Sequence, residues 1–259
     1  MYRPRIIPVL LLKNRGLVKT VAFDKPKYIG DPINAVRIFN ELRADELVFL
    51  DTEATKEGRL IDPELVRNIG EEANMPFAVG GGIRSLEDIR KITAAGAEKV
   101  VICSAAVERP EFIREASEEF GSSTIAVCID VKKKFLGGMK IWSHGGIKAV
   151  NFAPVEFAKK MEEMGAGEII IQSIEKDGTM SGYDLELIKS ISEAVTIPVV
   201  ALGGAGSLED LRLGFEKAFA NGLAAGSLFV FNDKNRGVLI NYPVRGDFPL
   251  RRGPRGEDF

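Results

Sequence analysis

The chain has 259 residues, of which 45% are hydrophobic and 28% are charged. Its 35 basic and 37 acidic residues leave a formal net charge of −2, which argues against nucleic acid or a membrane surface as the main partner. The length fits two average domains or one α/β barrel. One histidine and two cysteines exclude a histidine metal cluster and a disulfide framework, so we expect neither a metal nor a cofactor.

The N-terminal apolar run is too short for the core of a signal peptide. The longest stretches without a charged side chain have 15 residues, fewer than the roughly 20 that cross a bilayer. We therefore expect a cytoplasmic protein without membrane contact.

Short β-branched segments alternate with amphipathic helical segments along the chain. The predicted strands are Arg5–Leu12, Glu46–Asp51, Pro76–Val79, Lys99–Cys103, Thr124–Asp130, Glu168–Gln172, Pro198–Leu202 and Gly222–Ala225. The predicted helices include Pro63–Ala73, Ser85–Ala95, Pro110–Phe120, Pro154–Met164, Leu185–Ala194 and Ser207–Phe215. Because a helix follows each strand, the strands should pair in parallel. Eight such units favour a (β/α)8 TIM barrel over an open doubly wound sheet for residues 1–232.

The sequence also contains an internal repeat at an offset of 122 residues. Residues 62–90 align without gaps with residues 184–212, and 13 of the 29 positions are identical. The repeat predicts two fused half-barrels, about 1–121 and 122–232, and its length excludes a solenoid. Residues 233–259 are rich in Pro, Gly and Arg, which predicts a partly disordered C-terminal extension, either a loose tail or a partner-binding segment.

Glycine-rich loops follow two equivalent predicted strands, at Gly81 and Gly82 and at Gly203 and Gly204. In such barrels ligands bind at the C-terminal ends of the strands, and glycine amides beside a helix start suit phosphate. A pair of such loops favours two phosphate sites over simple tight turns. The residues expected to complete the sites are Ser104 in the first half and Asp177, Gly178, Gly226 and Ser227 in the second.

Asp130 ends the fifth predicted strand within the apolar run AVCID. A carboxylate in low-dielectric surroundings has a tunable pKa, as general acid-base catalysis requires. The alternative is an ordinary aspartate paired with Lys132 or Lys133. Asp51, at the end of the second strand, is a second catalytic candidate, and Lys19 is a third.

Leu11 occupies the position that corresponds to Asp130 when the first strands of the two halves are aligned. A barrel that used two symmetric carboxylates would have an aspartate there. Two-carboxylate acid-base chemistry is therefore not available in its usual form.

Four charged residues begin strands at the opposite, N-terminal face: Arg5, Glu46, Lys99 and Glu168. Charges at the floor of a barrel must be paired or hydrated, and these four could form a closed ionic ring. From the residues alone, structural ion pairing is the favoured interpretation.

To about residue 232 the chain resembles the HisF family, the cyclase subunit of imidazole glycerol phosphate synthase. The strings that carry the resemblance are RIIP, GDP, DELVFLD, VGGGIRSLED, the Asp130 strand, HGGIK, GAGEI, DGTMSGYDLEL and IPVVALGGAGSLED. The resemblance implies a ribonucleotide ligand with two phosphates on the glycine loops. It also implies a heterodimer with a HisH-like glutaminase, whose ammonia enters the barrel through the ring of Arg5, Glu46, Lys99 and Glu168.

The sequence departs from this family at the reacting centre. Leu11 replaces the first catalytic aspartate of the family, Gln172 a threonine and Leu202 a serine, which argues against imidazole ring closure. The strings VLLLKNRGLVKTVAFDKPKYIGDPINAV and AAGSLFVFNDKNRGVLINYP resemble the HisF-like paralogues of surface-polysaccharide loci (WbuZ type). That resemblance implies ammonia supply to an N-acetyl sugar amidotransferase.

Three functions remain open at this point. The first is an ammonia-channelling subunit for sugar amidation. The second is an authentic cyclase of histidine biosynthesis in which Asp130 and Asp51 share the work. The third is a catalytically silent activator of the glutaminase.

Overall fold

A computed structural model of the chain describes residues 3–133, 138–232 and 237–243. Within these ranges the strands are β1 (Arg5–Lys13), β2 (Gly16–Val21), β3 (Asp24–Gly30), β4 (Leu47–Asp51), β5 (Phe77–Gly80), β6 (Lys99–Ile102), β7 (Ile125–Lys133), β8 (Met139–Ser143), β9 (Lys148–Val150), β10 (Glu168–Ser173), β11 (Val199–Leu202) and β12 (Gly222–Ala225). The α-helices are α1 (Pro32–Glu41), α2 (Pro63–Glu72), α3 (Leu86–Ala94), α4 (Ser104–Glu108), α5 (Glu111–Phe120), α6 (Pro154–Glu163), α7 (Leu185–Ser192), α8 (Leu208–Glu216) and α9 (Ser227–Val230).

Eight parallel strands close into a barrel in the order β1, β4, β5, β6, β7, β10, β11, β12. Pairing of β12 with β1 and of β7 with β10 completes the ring. The predicted (β/α)8 TIM barrel is confirmed, and the predicted strands lie close to the observed ones. The main difference is β7, which continues three residues beyond Asp130, so that Asp130 lies within a strand rather than at its end.

Two antiparallel β-hairpins, called excursions below, extend from the C-terminal end of the barrel. The hydrophobic periodicity of the sequence did not predict them. Strands β2 and β3 form a hairpin on the end of β1, and β8 and β9 form one on the end of β7. Since β1 and β7 open the two halves of the chain, the internal repeat extends to these excursions. The two meet above the barrel, where Gly146 lies against the ring of Phe23.

The internal repeat is also visible in the loops that it predicted. Ser85 caps α3 and Ser207 caps α8, each by accepting a backbone N–H from the aspartate three residues later. Gly82 and Gly204 both have positive φ values, of 69° and 109°. A Cβ at Gly82 would lie 1.8 Å from the Arg59 carbonyl oxygen, so only glycine fits this close approach.

Apolar side chains form two packed layers. One layer fills the space between the strands and the helices. The other fills the barrel lumen and includes Val9, Leu11, Val48, Cys128 and Leu202. The lumen is therefore lined by apolar groups along most of its length.

Part of the predicted C-terminal extension packs on the barrel. The hydroxyl of Tyr242 donates to the Ile6 carbonyl and accepts from the Asp45 amide, both at 3.0 Å, and its ring lies 5.8 Å from that of Phe229. The rest of the extension, residues 233–236 and 244–259, lies outside the described residues. No helix in the described ranges has the length and apolar character needed to span a membrane.

Candidate active site and lumen

A cavity of about 440 Å³ opens at the C-terminal ends of the strands. Loops of the first half form most of its wall, and Asp130 and Gln172 lie at its base. Of the residues predicted from the sequence, those that line it are Asp51, Gly81, Gly82, Ser104 and Asp130. Leu11 lines the same cavity, so no carboxylate occupies the position equivalent to Asp130.

Asp130 is a buried carboxylate, with 6% of its surface exposed. The thiols of Cys103 and Cys128 each donate to it, both at 3.5 Å and to different oxygens. Burial raises its pKa to about 6, against the lowering effect of the two thiols. The Lys132 ammonium, one of the two predicted partners, lies over the Trp142 ring instead. Asp130 can therefore exchange a proton near neutral pH.

Asp51 is in a different environment, although it lies at the rim of the same cavity. Its carboxylate is paired with the Arg59 guanidinium at 2.7 Å and accepts the backbone amides of Glu53 and Ala54 at 3.0 and 3.1 Å. These bonds hold the loop after β4. The geometry gives Asp51 a positioning role and leaves Asp130 as the carboxylate suited to proton transfer.

The first glycine loop faces the cavity beside basic side chains. The amides of Arg84 and Ser85 are both taken by the Asp88 carboxylate, at 3.1 and 3.0 Å, which caps α3. An anion here would therefore use the amides of Gly81 and Gly82 rather than the helix end. The Ser104 hydroxyl accepts the His144 backbone amide at 3.0 Å, which ties the loop to the second excursion.

The second glycine loop, at Gly203 and Gly204, is covered by neighbouring parts of the chain. A Cβ at Gly226 would lie 1.8 Å from the Lys19 ammonium, and one at Gly204 would lie 2.3 Å from the Gly182 carbonyl oxygen. The β2–β3 hairpin closes over Gly178, where the corresponding distance to the Thr20 carbonyl oxygen is 2.1 Å. The Lys19 side chain therefore lies against Gly226, one of the residues predicted to hold a second phosphate.

Lys19 is buried beneath the hairpin and donates to the Val9 carbonyl at 3.2 Å. Burial lowers its pKa to about 8, although the charge of Asp177 acts in the opposite direction. Asp177 accepts the Thr20 hydroxyl at 2.9 Å, and burial raises its pKa against the effects of Lys19 and Thr20. The hairpin thus places the Lys19 ammonium beside the second loop, close to the Asp177 carboxylate of the loop after β10.

Ser227 also lies at the second loop and is almost fully buried. Its hydroxyl has no hydrogen-bond partner among the residues that the structure describes. A buried hydroxyl without a partner is unfavourable, and such a group calls for a specific explanation.

The four predicted floor residues form a closed ring of ion pairs. Arg5 bonds to Glu46 and to Glu168, and Lys99 bonds to the same two carboxylates at 3.2 and 3.1 Å. Both glutamates are buried, whereas the two cations are partly exposed. The ring therefore closes the N-terminal end of the lumen.

Above the ring, a narrow cavity of about 10 Å³ lies inside the barrel. It extends from Glu46 and Glu168 through apolar side chains to Leu202 and Cys128. This volume is close to that needed for one water-sized molecule. Within the described parts of the chain, no group of three or more His, Cys, Asp or Glu is arranged to hold a metal.

Several site residues were not singled out from the sequence: Thr20, Arg59, His144 as a partner of Ser104, and Tyr242. The alternation in GLVKTV was the available signal for Thr20, because it places residues 18 and 20 on one side of a strand. Arg59 and Tyr242 gave no local signal, since their partners Asp51 and Asp45 become neighbours only in the fold.

The fold and this site define the chain as a TIM-barrel protein of the half-barrel repeat type, with glycine loops at one end and an ionic ring at the other. The family described as "Histidine biosynthesis protein" matches residues 5–235. The chain belongs to this family.

Three relatives illustrate the similarity. A protein of Pseudomonas aeruginosa, provisionally named imidazole glycerol phosphate synthase subunit hisF2, is 47% identical over 94% of this chain and 97% of its own length. A protein of Leptospira interrogans, provisionally named subunit HisF, is 45% identical over 95% of this chain and 98% of its own length. Imidazole glycerol phosphate synthase subunit HisF of Lactococcus lactis is 45% identical over 97% of each chain.

Proposed function

We propose that the chain is the synthase subunit of a glutamine-dependent amidotransferase. It carries ammonia from a HisH-like glutaminase through the barrel lumen to the mouth at Asp130. The observation that carries the proposal is the ring of Arg5, Glu46, Lys99 and Glu168 directly below an apolar lumen. Replacing such buried ion pairs with apolar residues is often neutral or stabilising, so a ring retained at a channel entrance supports a role in admitting a small polar molecule.

The N-terminal face supports a partner surface around this entrance. A cavity of about 520 Å³ lies beside the ring and is lined by Arg3, Arg5, Arg43 and Asp45, among others. The relatives are named as subunits, which supports a second chain on this face. The complex that we propose is a heterodimer with the glutaminase.

At the mouth, Asp130 accepts the proton that is released when ammonia attacks the substrate. A base with a pKa of about 6 is close to the value that favours such transfer near neutral pH. A phosphate of the substrate binds at Gly81, Gly82 and Ser104. A second phosphate binds at Gly203, Gly204, Gly226 and Ser227 when the Lys19 side chain leaves that space, and it supplies the missing partner of the Ser227 hydroxyl.

The substrate that we propose is a sugar of surface-polysaccharide biosynthesis, amidated together with an N-acetyl sugar amidotransferase. Leu11 supports this choice, because it leaves Asp130 without the second carboxylate of a two-carboxylate cyclase. The competing function is imidazole ring closure in histidine biosynthesis, which the name of the Lactococcus lactis relative favours.

Reconstitution with a HisH-like glutaminase and the sugar amidotransferase tests the proposal. Lys99→Met should abolish amidation driven by glutamine but leave amidation driven by ammonium chloride intact. Lys91→Met is the matched control, because Lys91 is an exposed lysine paired with Glu87 at 3.8 Å. Equal glutamine-driven amidation rates in Lys99→Met and Lys91→Met would contradict the proposed ammonia channel.

Two further measurements separate the alternatives. Growth of a cyclase-deficient histidine auxotroph carrying this chain would favour the cyclase over the sugar pathway. A silent activator would stimulate the glutaminase equally with Asp130→Asn or Lys99→Met and would leave amidation independent of the chain.

A further inference from the structure

The two cysteines of the chain lie side by side at the mouth of the lumen. Cys103 directly follows β6 and Cys128 lies in β7. The residues just before them, Ile102 and Val127, are paired in the parallel register of these strands. The two cysteines directly follow this pair along the chain, and neighbouring strands are about 4.8 Å apart. Disulfides form between residues whose Cα atoms are about 4.4 to 6.8 Å apart.

Both side chains face the lumen, where Cys128 belongs to the apolar lining and Cys103 packs against it. Their sulfur atoms each lie 3.5 Å from an oxygen of Asp130. Each thiol is close enough to the other to affect its pKa. The two sulfurs and one carboxylate thus form a single cluster, and both cysteines line the mouth cavity.

We propose that Cys103 and Cys128 are an oxidative modification site that forms a reversible disulfide with a hydroperoxide as the oxidant. The sulfur of the partly exposed Cys103 attacks one peroxide oxygen, and the O–O bond breaks to give a sulfenic acid and water. The sulfur of Cys128 then attacks the Cys103 sulfur. The S–S bond forms, the S–O bond breaks and a second water leaves. Two thiols and one hydrogen peroxide become one disulfide and two waters, a two-electron oxidation.

Asp130 supplies the base for both steps. The neighbouring Cys128 thiol lowers the pKa of the Cys103 thiol, but burial and Asp130 raise it above its usual value. The neighbouring Cys103 thiol, burial and Asp130 raise the pKa of Cys128. Both thiols are therefore protonated near neutral pH, and only the thiolate is a strong nucleophile. The Asp130 carboxylate accepts each thiol proton in turn and passes it to the leaving oxygen.

The disulfide changes the site that it joins. In the reduced protein the two thiols donate to Asp130 and lower its pKa against burial. A disulfide has no S–H group, so both donors are lost and the Asp130 pKa rises above about 6. A larger fraction of the carboxyl is then protonated near neutral pH, which weakens Asp130 as a base. This consequence rests on the proposed function, whereas the disulfide itself does not.

Treating the full chain with hydrogen peroxide tests the modification. The full sequence contains these two cysteines and no others, so a thiol count on the unfolded product reports on this pair alone. We expect two free thiols to fall to none, the intact mass to decrease by two hydrogens, and dithiothreitol to reverse both changes. A peptide linked through Cys103 and Cys128 should appear in the digest.

Matched single variants complete the design. Cys103→Ser and Cys128→Ala each leave one thiol, which should gain oxygen instead of losing hydrogen. Asp130→Asn should slow disulfide formation by roughly tenfold or more. Two thiols that stay alkylatable, or that gain oxygen separately in the unmodified sequence, would overturn the proposal. Thiol count and mass do not depend on catalysis, so this failure is distinct from a failure of the proposed function.

Discussion

Replacing Asp130 with asparagine should stabilise the folded protein at neutral pH. Burial raises the Asp130 pKa from the usual 3.8 to about 6. Each pKa unit corresponds to about 1.4 kcal/mol, so the charged carboxylate costs about 3 kcal/mol at pH 7. The folded state binds more protons than the unfolded state between the two pKa values, and stability therefore falls as the pH rises from 3.8 to about 6. The gain in unfolding free energy from Asp130→Asn should be complete above pH 6 and absent below pH 3.8.

Urea unfolding at pH 7 and pH 4 measures this effect. Asp51→Asn is the matched control at the same rim, because the Asp51 carboxylate accepts from Arg59 and from two backbone amides. Weakening those bonds should destabilise the protein by about 1 to 3 kcal/mol. The two substitutions should therefore have opposite signs at pH 7. Destabilisation by Asp130→Asn at pH 7, or a gain that persists on acidification, would refute the reasoning.

Three further predictions concern other polar groups of the barrel. Lys19→Met should raise the free energy of unfolding at pH 7 by up to about 3 kcal/mol, because burial lowers the Lys19 pKa from 10.5 to about 8. This gain should fade as the pH rises from 8 to 10.5 in urea titrations, and a constant gain would contradict it. Arg5→Met should lower the free energy of unfolding by about 2 kcal/mol, since it leaves Glu46 and Glu168 with Lys99 alone. Lys91→Met is the control, and equal urea midpoints for the two variants would argue against the ring. Tyr242→Phe should lower the free energy of unfolding by about 1 to 3 kcal/mol, because it removes both hydrogen bonds of the hydroxyl. An unchanged melting temperature in thermal unfolding would show that these bonds contribute nothing to stability.

The barrel strands were predictable because each one is a short apolar run bounded by turn residues and followed by a helix. The repeat added the equivalence of the capping residues Ser85 and Ser207, which the structure bears out. Strand β3 was not predictable in this way. Its sequence DKPKYIG is exposed along most of its length and contains a proline, so it has no buried face to produce an alternating pattern.

Site positions were easier to predict than the partners of the site residues. The sequence placed Asp130 and the first glycine loop at the mouth, because strand ends meet there in any barrel of this kind. It did not indicate that two thiols donate to Asp130 or that Arg59 holds Asp51. It also did not indicate that Lys19 fills the space at Gly226, a contact across more than 200 residues that exists only when β1 and β12 pair.

The distribution of charge along the barrel axis constrains what could pass through the lumen under the proposed function. The floor glutamates are paired, the middle is apolar and the next carboxylate is Asp130. An ammonium ion in the apolar middle would lose its hydration without a counter-charge, which is far more costly than the loss of hydrogen bonds by neutral ammonia. Under the proposed function, the species that crosses the apolar middle is therefore neutral ammonia. A proton is released at the mouth after nitrogen has attacked the substrate, and Asp130 is the carboxylate placed and tuned to accept it.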